Sequence, residues 1–321
     1  MNKPIIGLTL NFRDAIRTQR CVESLLSNGA KHVVVWDNSD DEGASASNLA
    51  ERLADGEKVT LLVSPANLGF AAAVNRGIAW IGDQFGDVWV ALINNDARFL
   101  PGALENLADA LCRESEAMVA FPDIDHGGKV IGAVYYQRWL GLLTQKPIPG
   151  SALYVSGCAL LIAPERNCST LFDESFFMYG EDMALGWQQA NNDHWCVHVP
   201  GVWVLHEGSA SSGMGSEFYE TRMVAAHFLL ARKLATGRLD YGVLIFARFL
   251  TLTTRACLRA WRYRRGLPLR ALLNGWYIAK GDDSLLERAR SVMASRQIQV
   301  LSPSEFKSFF ALSCAASDKD Q

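Results

Sequence analysis

The chain has 321 residues, 49% of them hydrophobic and 20% charged, with a formal net charge of −3. That length fits one large domain, or a domain with an appendage, around a sizeable core, and the slightly acidic balance excludes the basic surface of a nucleic-acid-binding protein. The seven cysteines are scattered with no CxxC pair, which excludes a disulfide or zinc framework and predicts reduced thiols.

Residues 5–10 predict a first strand, closed by the polar turn Asn11 to Asp14, and residues 15–26 a helix. A second strand over 32–36 ends in Asp37-Asn38-Ser39, and a short helix near 48–53 follows. The third strand, 59–63, runs into Pro65-Ala66-Asn67-Leu68-Gly69 and a helix over 70–80. Val88-Trp89-Val90-Ala91 reads as a buried strand that delivers Asn94, Asn95 and Asp96 at its C-terminal edge. Strand and helix alternating with short links predict an α/β fold with a mostly parallel sheet covered on both faces.

In open α/β sheets ligands bind outside the carboxyl ends of the strands. Asn11, Asp37 and Asn67 stand at three such ends, and Asn95 and Asp96 at the fourth. Together they predict one polar rim able to hold a nucleotide. Asp37 would accept from a pyrimidine N–H, Asn67 and Asn75 would pair with base or ribose, and the Gly69 turn would let backbone approach the ligand. Each residue taken singly is also an ordinary cap or turn residue. No GxGxxG follows the first strand and no GxxxxGK[ST] is present, which disfavours a dinucleotide site and a P-loop.

Residues 122–150, rich in Gly and Pro and carrying Tyr135, Tyr136 and Trp139, read as hairpins and a mobile loop near the site. Residues 154–162 read as a single strand in which Gly157 permits close backbone approach. Glu181 and Asp182 then sit at the start of a helix predicted over 183–190. The helix dipole favours their charge there, and flanking aromatics would raise a carboxylate pKa toward a base's working range. A strand over 195–205 ends at His206, placed to share a divalent metal with a carboxylate.

These motifs occur in one order. Asp37-Asn38-Ser39, the run from Asn67 to Gly77, Leu92-Ile93-Asn94-Asn95-Asp96, Ser156 to Ile162, the run from Phe172 to Asp182 and His206-Glu207-Gly208-Ser209 together resemble the family 2 glycosyltransferases, nearest to bacterial rhamnosyltransferases of surface-polysaccharide assembly. The resemblance covers roughly residues 3–235 and rests on the combination, each piece being weak alone. It implies a GT-A fold and an inverting mechanism. The implied donor is a nucleoside-diphosphate sugar (dTDP- or UDP-linked, with rhamnose the expected sugar) used with Mg²⁺ or Mn²⁺. By the same resemblance Asp37 reads the base, Asn67 and Asn75 line the nucleotide pocket, Asp96 and His206 hold the metal, and Asp182, beside Glu181, deprotonates the acceptor. One departure stands out: the first acid of the family's DxD motif is Asn94 here, so less negative charge faces the metal. A nucleotidyltransferase and a non-catalytic nucleotide-sugar-binding protein are the alternatives. The first lacks the Gly-rich basic loop such enzymes carry near the N-terminus.

Residues 1–235 are thus expected to form the catalytic domain and 236–321 a C-terminal helical, basic amphipathic region. Residues 232–270 hold ten Lys/Arg and a single acid, Asp240. Arg248, Arg255, Arg259 and Arg262 share one helical face, which predicts a helix lying on an anionic membrane with its Arg heads at lipid phosphates; the alternative is a helix packed on the catalytic domain with a solvated basic edge. Shorter helices are predicted over 269–280 and 284–295, and disorder from residue 313. No segment resembles a signal peptide, and no run of about 18 uncharged apolar residues marks a spanning helix. The expected location is the cytoplasm, peripheral on the inner membrane face, with a lipid-linked glycan as acceptor.

Overall fold

The computed structural model describes residues 3–53, 58–166, 170–189, 196–208 and 215–306. In chain order the elements are β1 (Ile5–Asn11), α1 (Ala15–Ser27), β2 (His32–Asp37), α2 (Ala44–Arg52), β3 (Val59–Val63), α3 (Gly69–Phe85), β4 (Trp89–Ile93), β5 (Ala97–Phe99) and α4 (Ala103–Arg113). Then come β6 (Val119–His126), β7 (Lys129–Ile131), β8 (Val134–Gln137), β9 (Leu142–Thr144), β10 (Ser151–Tyr154), β11 (Ala159–Ile162), α5 (Glu181–Gln189) and β12 (Cys196–His206). The chain continues through α6 (Glu217–Lys233), α7 (Arg238–Tyr263), α8 (Leu267–Lys280), α9 (Ser284–Ser295) and β13 (Gln299–Leu301). Ala190, Trp195, Ser209, Cys168 and the stretch from residue 313 lie outside the described residues. None of the five described cysteines is in a disulfide.

A ten-stranded sheet runs β13-β3-β2-β1-β4-β11-β6-β12-β5, with β7 on β6. β3, β2, β1, β4, β6 and β12 point one way, and β13, β11, β5 and β7 run against them. The carboxyl ends of the six co-directional strands therefore share one edge, which collects Asn11, Asp37, the residues after Val63 and Ile93, His126 and His206. Strands such as β2, with Val33 to Trp36 fully buried, are apolar on both faces because helices cover both. Two clusters form on opposite sides, one around Leu25, Leu49, Trp89 and Leu107, the other around Trp36, Val74, Leu92 and Phe121.

Two expectations are corrected and one strand is added. Residues 154–162 are two strands in two sheets. β10 joins β8 and β9 in a small antiparallel sheet, while β11 pairs with β4 and β6 in the large one. The break at Val155–Cys158 lets the chain pass from the small sheet to the large one. Within residues 122–150, the expected hairpins and loop include the end of central strand β6, β7 and the small sheet. Lastly, β13 returns to pair antiparallel with β3, so the C-terminal region completes the sheet it follows.

The C-terminal helices pack as a third layer. Phe228, Phe249 and Trp276 form a mutual aromatic contact, with centroids 4.7–5.0 Å apart. Arg222 of α6 forms a doubly hydrogen-bonded ion pair with Asp283, the cap of α9. The lipid-facing arginine face is overturned for two of its four members. Arg248 is 0% exposed and donates to Trp139 O, Arg138 O and Tyr136 Oη at 2.7, 2.5 and 3.0 Å. Arg259 pairs with Glu220 at 2.5 Å. Both point toward the protein because a buried carbonyl cluster and a buried carboxylate require a donor. The outward face of α7 is apolar instead, with Leu239, Val243, Phe246, Leu250 and Trp261 exposed. Among the described residues α7 is also the one helix long and apolar enough to cross a membrane, which revises the expectation that none qualifies.

Candidate active site

A cavity of about 590 Å³ opens at the carboxyl edge of the sheet. Its lining includes Asn67, Gly69, Asn95, Asp96, His206, Glu181 and Asp182. Residues from β4, β12 and α5 thus converge on one space, as their sequence positions at strand and helix ends predicted.

Asp96 follows β4 and His206 ends β12. Asp96 Oδ1 and His206 Nε2 stand 3.1 Å apart. The other ring nitrogen of His206, Nδ1, meets His126 Nδ1 at 2.9 Å. In-register parallel pairing of β6 and β12 sets these two histidines side by side. One of the facing Nδ1 atoms must donate, so the tautomers of His126 and His206 are linked. When His206 Nδ1 carries the proton, Nε2 presents a lone pair beside the Asp96 carboxylate. A hard oxygen, an imidazole nitrogen and a second-shell orienting group are the donor set a divalent cation takes. Among the described residues no group of three or more His, Cys, Asp and Glu forms a ready cage, so the fit is to two protein ligands.

Glu181 and Asp182 open α5. Ahead of them Tyr179 and Gly180 both have positive φ, +69° and +96°, and this turn carries the chain from the cavity wall into the helix. Asp182 Oδ2 accepts from Tyr154 Oη at 2.6 Å and Oδ1 from the Met183 N–H at 2.8 Å. Burial pushes its pKa up, while the Tyr154 hydroxyl and the backbone N–H groups act the other way. Glu181 is more deeply placed, 6% exposed, and its Oε2 has no hydrogen-bond partner. Burial, with Asp182 beside it, raises its pKa well above the ordinary glutamate value. The environments divide the pair: Asp182 is equipped to hold charge and Glu181 to hold a proton.

The nucleotide rim is only partly as expected. Asn67, Gly69, Asn95 and Asp96 line the cavity; Asn11, Asp37 and Asn75 do not. Asn75 is corrected to a structural role, since it donates to Phe172 O and accepts from Phe172 N at 2.8 and 3.0 Å. Asn11 is spent on Asp37 and Thr18, at 2.6 and 2.8 Å. Asp37 is 1% exposed; burial lifts its pKa to about 6 against the hydrogen bonds from Ser39 and Asn11. Gly69 is required for protein packing: a Cβ there would sit 2.1 Å from Phe177 O, and its φ is +77°. Asn38, which sequence reasoning passed over, lines the cavity and ties the 67–69 turn through Asn67 Oδ1, Gly69 O and Leu68 N. His126 and Tyr154 were also missed. A histidine closing an unrecognised strand gives no local signal, and Tyr154 became visible as a partner only once β10 was separated from β11.

A mixed sheet with helices on both faces and a cavity at its carboxyl edge is consistent with a GT-A fold. Residues 12–163 match the model of glycosyl transferase family 2. The chain is similar to the N-acetylglucosaminyl-diphospho-decaprenol L-rhamnosyltransferase of Mycobacterium tuberculosis, matched in two strains. Each is 27% identical over 241 residues, spanning 65% of this chain and 77% of the relative.

Proposed function

We propose that this protein is an inverting rhamnosyltransferase that moves its sugar from a nucleoside-diphosphate donor (dTDP- or UDP-linked) onto a lipid-linked sugar. The sugar and the lipid-linked acceptor rest on the mycobacterial relative, whose name specifies both. The observation that carries the mechanism is the sharing of one cavity by the Asp96–His206 pair and the Glu181–Asp182 pair.

In this reading the donor lies along the sheet edge by Asn38, Asn67 and Asn95, and Asp96 with His206 faces its diphosphate. A bound Mg²⁺ or Mn²⁺ there would offset negative charge on the leaving group. Asp182 takes the proton from the acceptor hydroxyl as its oxygen attacks the anomeric carbon. The bond from that carbon to the diphosphate oxygen breaks, and configuration inverts in one displacement. Tyr154 holds the Asp182 carboxylate in place, and Glu181, kept protonated, adds no second negative charge. The aromatic wall of Phe70, Phe121, Phe177 and Phe218 excludes water, which would otherwise compete with the acceptor.

The enzyme is proposed to work at the cytoplasmic membrane face, lying on it through the exposed apolar side of α7. Mid-helix Arg248, hydrogen-bonded into the catalytic layer, favours a surface position over a spanning one.

Incubation with dTDP-rhamnose, other nucleotide sugars and an N-acetylglucosaminyl diphosphate lipid tests the reading. Release of nucleoside diphosphate with formation of an anomerically inverted product is expected, dependent on divalent metal. Absence of transfer from every donor in the panel, or equal nucleoside-diphosphate affinity with and without EDTA, contradicts the corresponding part.

A further inference from the structure

A second cavity of about 360 Å³ lies beside the first, lined by Tyr219, Arg255, Leu258, Arg259, Arg262 and Tyr263, among others. We propose that it is the subsite for the diphosphate of the lipid-linked acceptor, an inference that rests on the function proposed above.

Charge is the first support. Three guanidinium-bearing residues converge on the cavity, and Glu220 answers only Arg259. Arg255 and Arg262 have no carboxylate partner among the described residues. They stand seven residues apart, two turns on one face of α7. The dipole at the C-terminus of α7 accounts for a cation at Arg262 but not for one two turns earlier at Arg255. Two forked donors without a carboxylate partner among the described residues match the oxygens of a diphosphate. Tyr219 and Tyr263 add hydroxyl donors, and the Tyr263 ring stacks under Arg259 and Arg262 with the guanidinium carbons 5.9 and 5.7 Å from its centroid.

Position is the second support. Phe218 lines the catalytic cavity and Tyr219, the next residue of α6, lines the basic one. The Tyr219 ring meets Tyr179, itself on the catalytic wall, with centroids 5.3 Å apart. Arg222 stacks on both Phe177 and Phe218 and so fixes this partition. A sugar with its hydroxyl at Asp182 could thus place its anomeric diphosphate across α6 in the arginine cavity. On the other side lie Leu258 and Trp261, 60% and 82% exposed. They offer an apolar surface for the first isoprene units. Sugar, diphosphate and hydrocarbon would then meet polar, cationic and apolar surface in the order in which the acceptor presents them.

The test measures binding of farnesyl diphosphate by calorimetry, with the donor site saturated by nucleoside diphosphate and Mg²⁺. Wild type is compared with Arg255→Gln/Arg262→Gln. Loss of two charge-assisted contacts should raise Kd by about tenfold or more, with nucleoside-diphosphate affinity unchanged. Arg259 is left alone because removing it would strand buried Glu220. Should the double variant not fold, the single Arg262→Gln variant is expected to show about a threefold loss. Failure of wild type to bind farnesyl diphosphate, or equal affinity in wild type and variant, overturns the proposal. A parallel arm uses phosphatidylglycerol vesicles. If the substitutions weaken vesicle binding tenfold while farnesyl diphosphate binds both proteins alike, the cavity reads lipid headgroups and the proposal falls. Farnesyl diphosphate binding that depends on these arginines, in a protein that transfers no sugar, would instead refute the proposed function and leave the anion site standing.

Discussion

Asp182→Asn separates the chemistry of the buried acid pair from its architecture. The substitution keeps the side-chain shape, and one oxygen still accepts from Tyr154 Oη or the Met183 N–H, which now lie 2.6 and 2.8 Å from the carboxylate. The amide nitrogen must face the other donor. Tyr154 can relieve this by turning its hydroxyl to accept, so the structural cost is that of about one hydrogen bond, ~1 kcal/mol. The catalytic cost is larger. An amide cannot take the acceptor proton, and loss of a general base slows a reaction by about 10²–10⁴-fold, or ~3–5 kcal/mol of barrier. The pH profile carries the signature. Burial raises the Asp182 pKa, so the acidic limb of wild-type kcat should lie above the ordinary aspartate range and disappear in the variant. Released nucleoside diphosphate, measured across pH at saturating donor and acceptor, reads both effects. Donor affinity should be unchanged, since the nucleotide sits at the strand ends. Turnover within about threefold of wild type, or a retained acidic limb, would remove Asp182 as the base.

Three further outcomes are expected. Glu181→Gln should stabilise the protein at pH 8 and leave it unchanged near pH 4. The raised Glu181 pKa means that wild type loses stability as pH climbs from the ordinary glutamate value through the raised one, whereas glutamine has no charge to bury. Thermal melts at both pH values check this, and a gap no larger at pH 8 than at pH 4 would contradict it. Gly186→Ala would set a Cβ 1.8 Å from Leu153 O and force α5 off β10. Against the ~1 kcal/mol that alanine ordinarily gains in a helix, a net loss of ~1–3 kcal/mol in urea melts is expected, with reduced turnover because α5 carries Asp182. Arg248→Met would leave Trp139 O, Arg138 O and Tyr136 Oη without their donor. It should cost ~3–5 kcal/mol and expose the β8–β9 hairpin to protease, and a loss under 1 kcal/mol would refute its role as the pin of that hairpin.

The parallel half of the sheet was legible because β1 to β4 are short apolar runs punctuated by polar turns, a purely local pattern. α9 was legible for a similar reason, with Asp283 capping Leu285 and Leu286. β5, β7 and β13 are three residues each and exist only through their partners, so no period announces them. The strand-end rule named Asp96, Asn67 and His206, which line the cavity, but it did not separate residues facing the cavity from those holding its wall. Asn75 and Asn11 have the composition of ligand contacts and the geometry of struts. The basic face of α7 failed for the same reason. Helical spacing says which arginines lie together, and tertiary packing decides which of them meet protein.

The antiparallel pairing of β13 with β3, joining Val300 to Leu62, has a consequence for how the chain is made. A ribosome delivers β3 long before β13. Until then β3 is an unguarded sheet edge, the kind of surface that templates aggregation. Folding that must wait for a contact between distant parts of the chain is also intrinsically slow. Removing the C-terminal region to obtain a simpler catalytic fragment would make that transient state permanent.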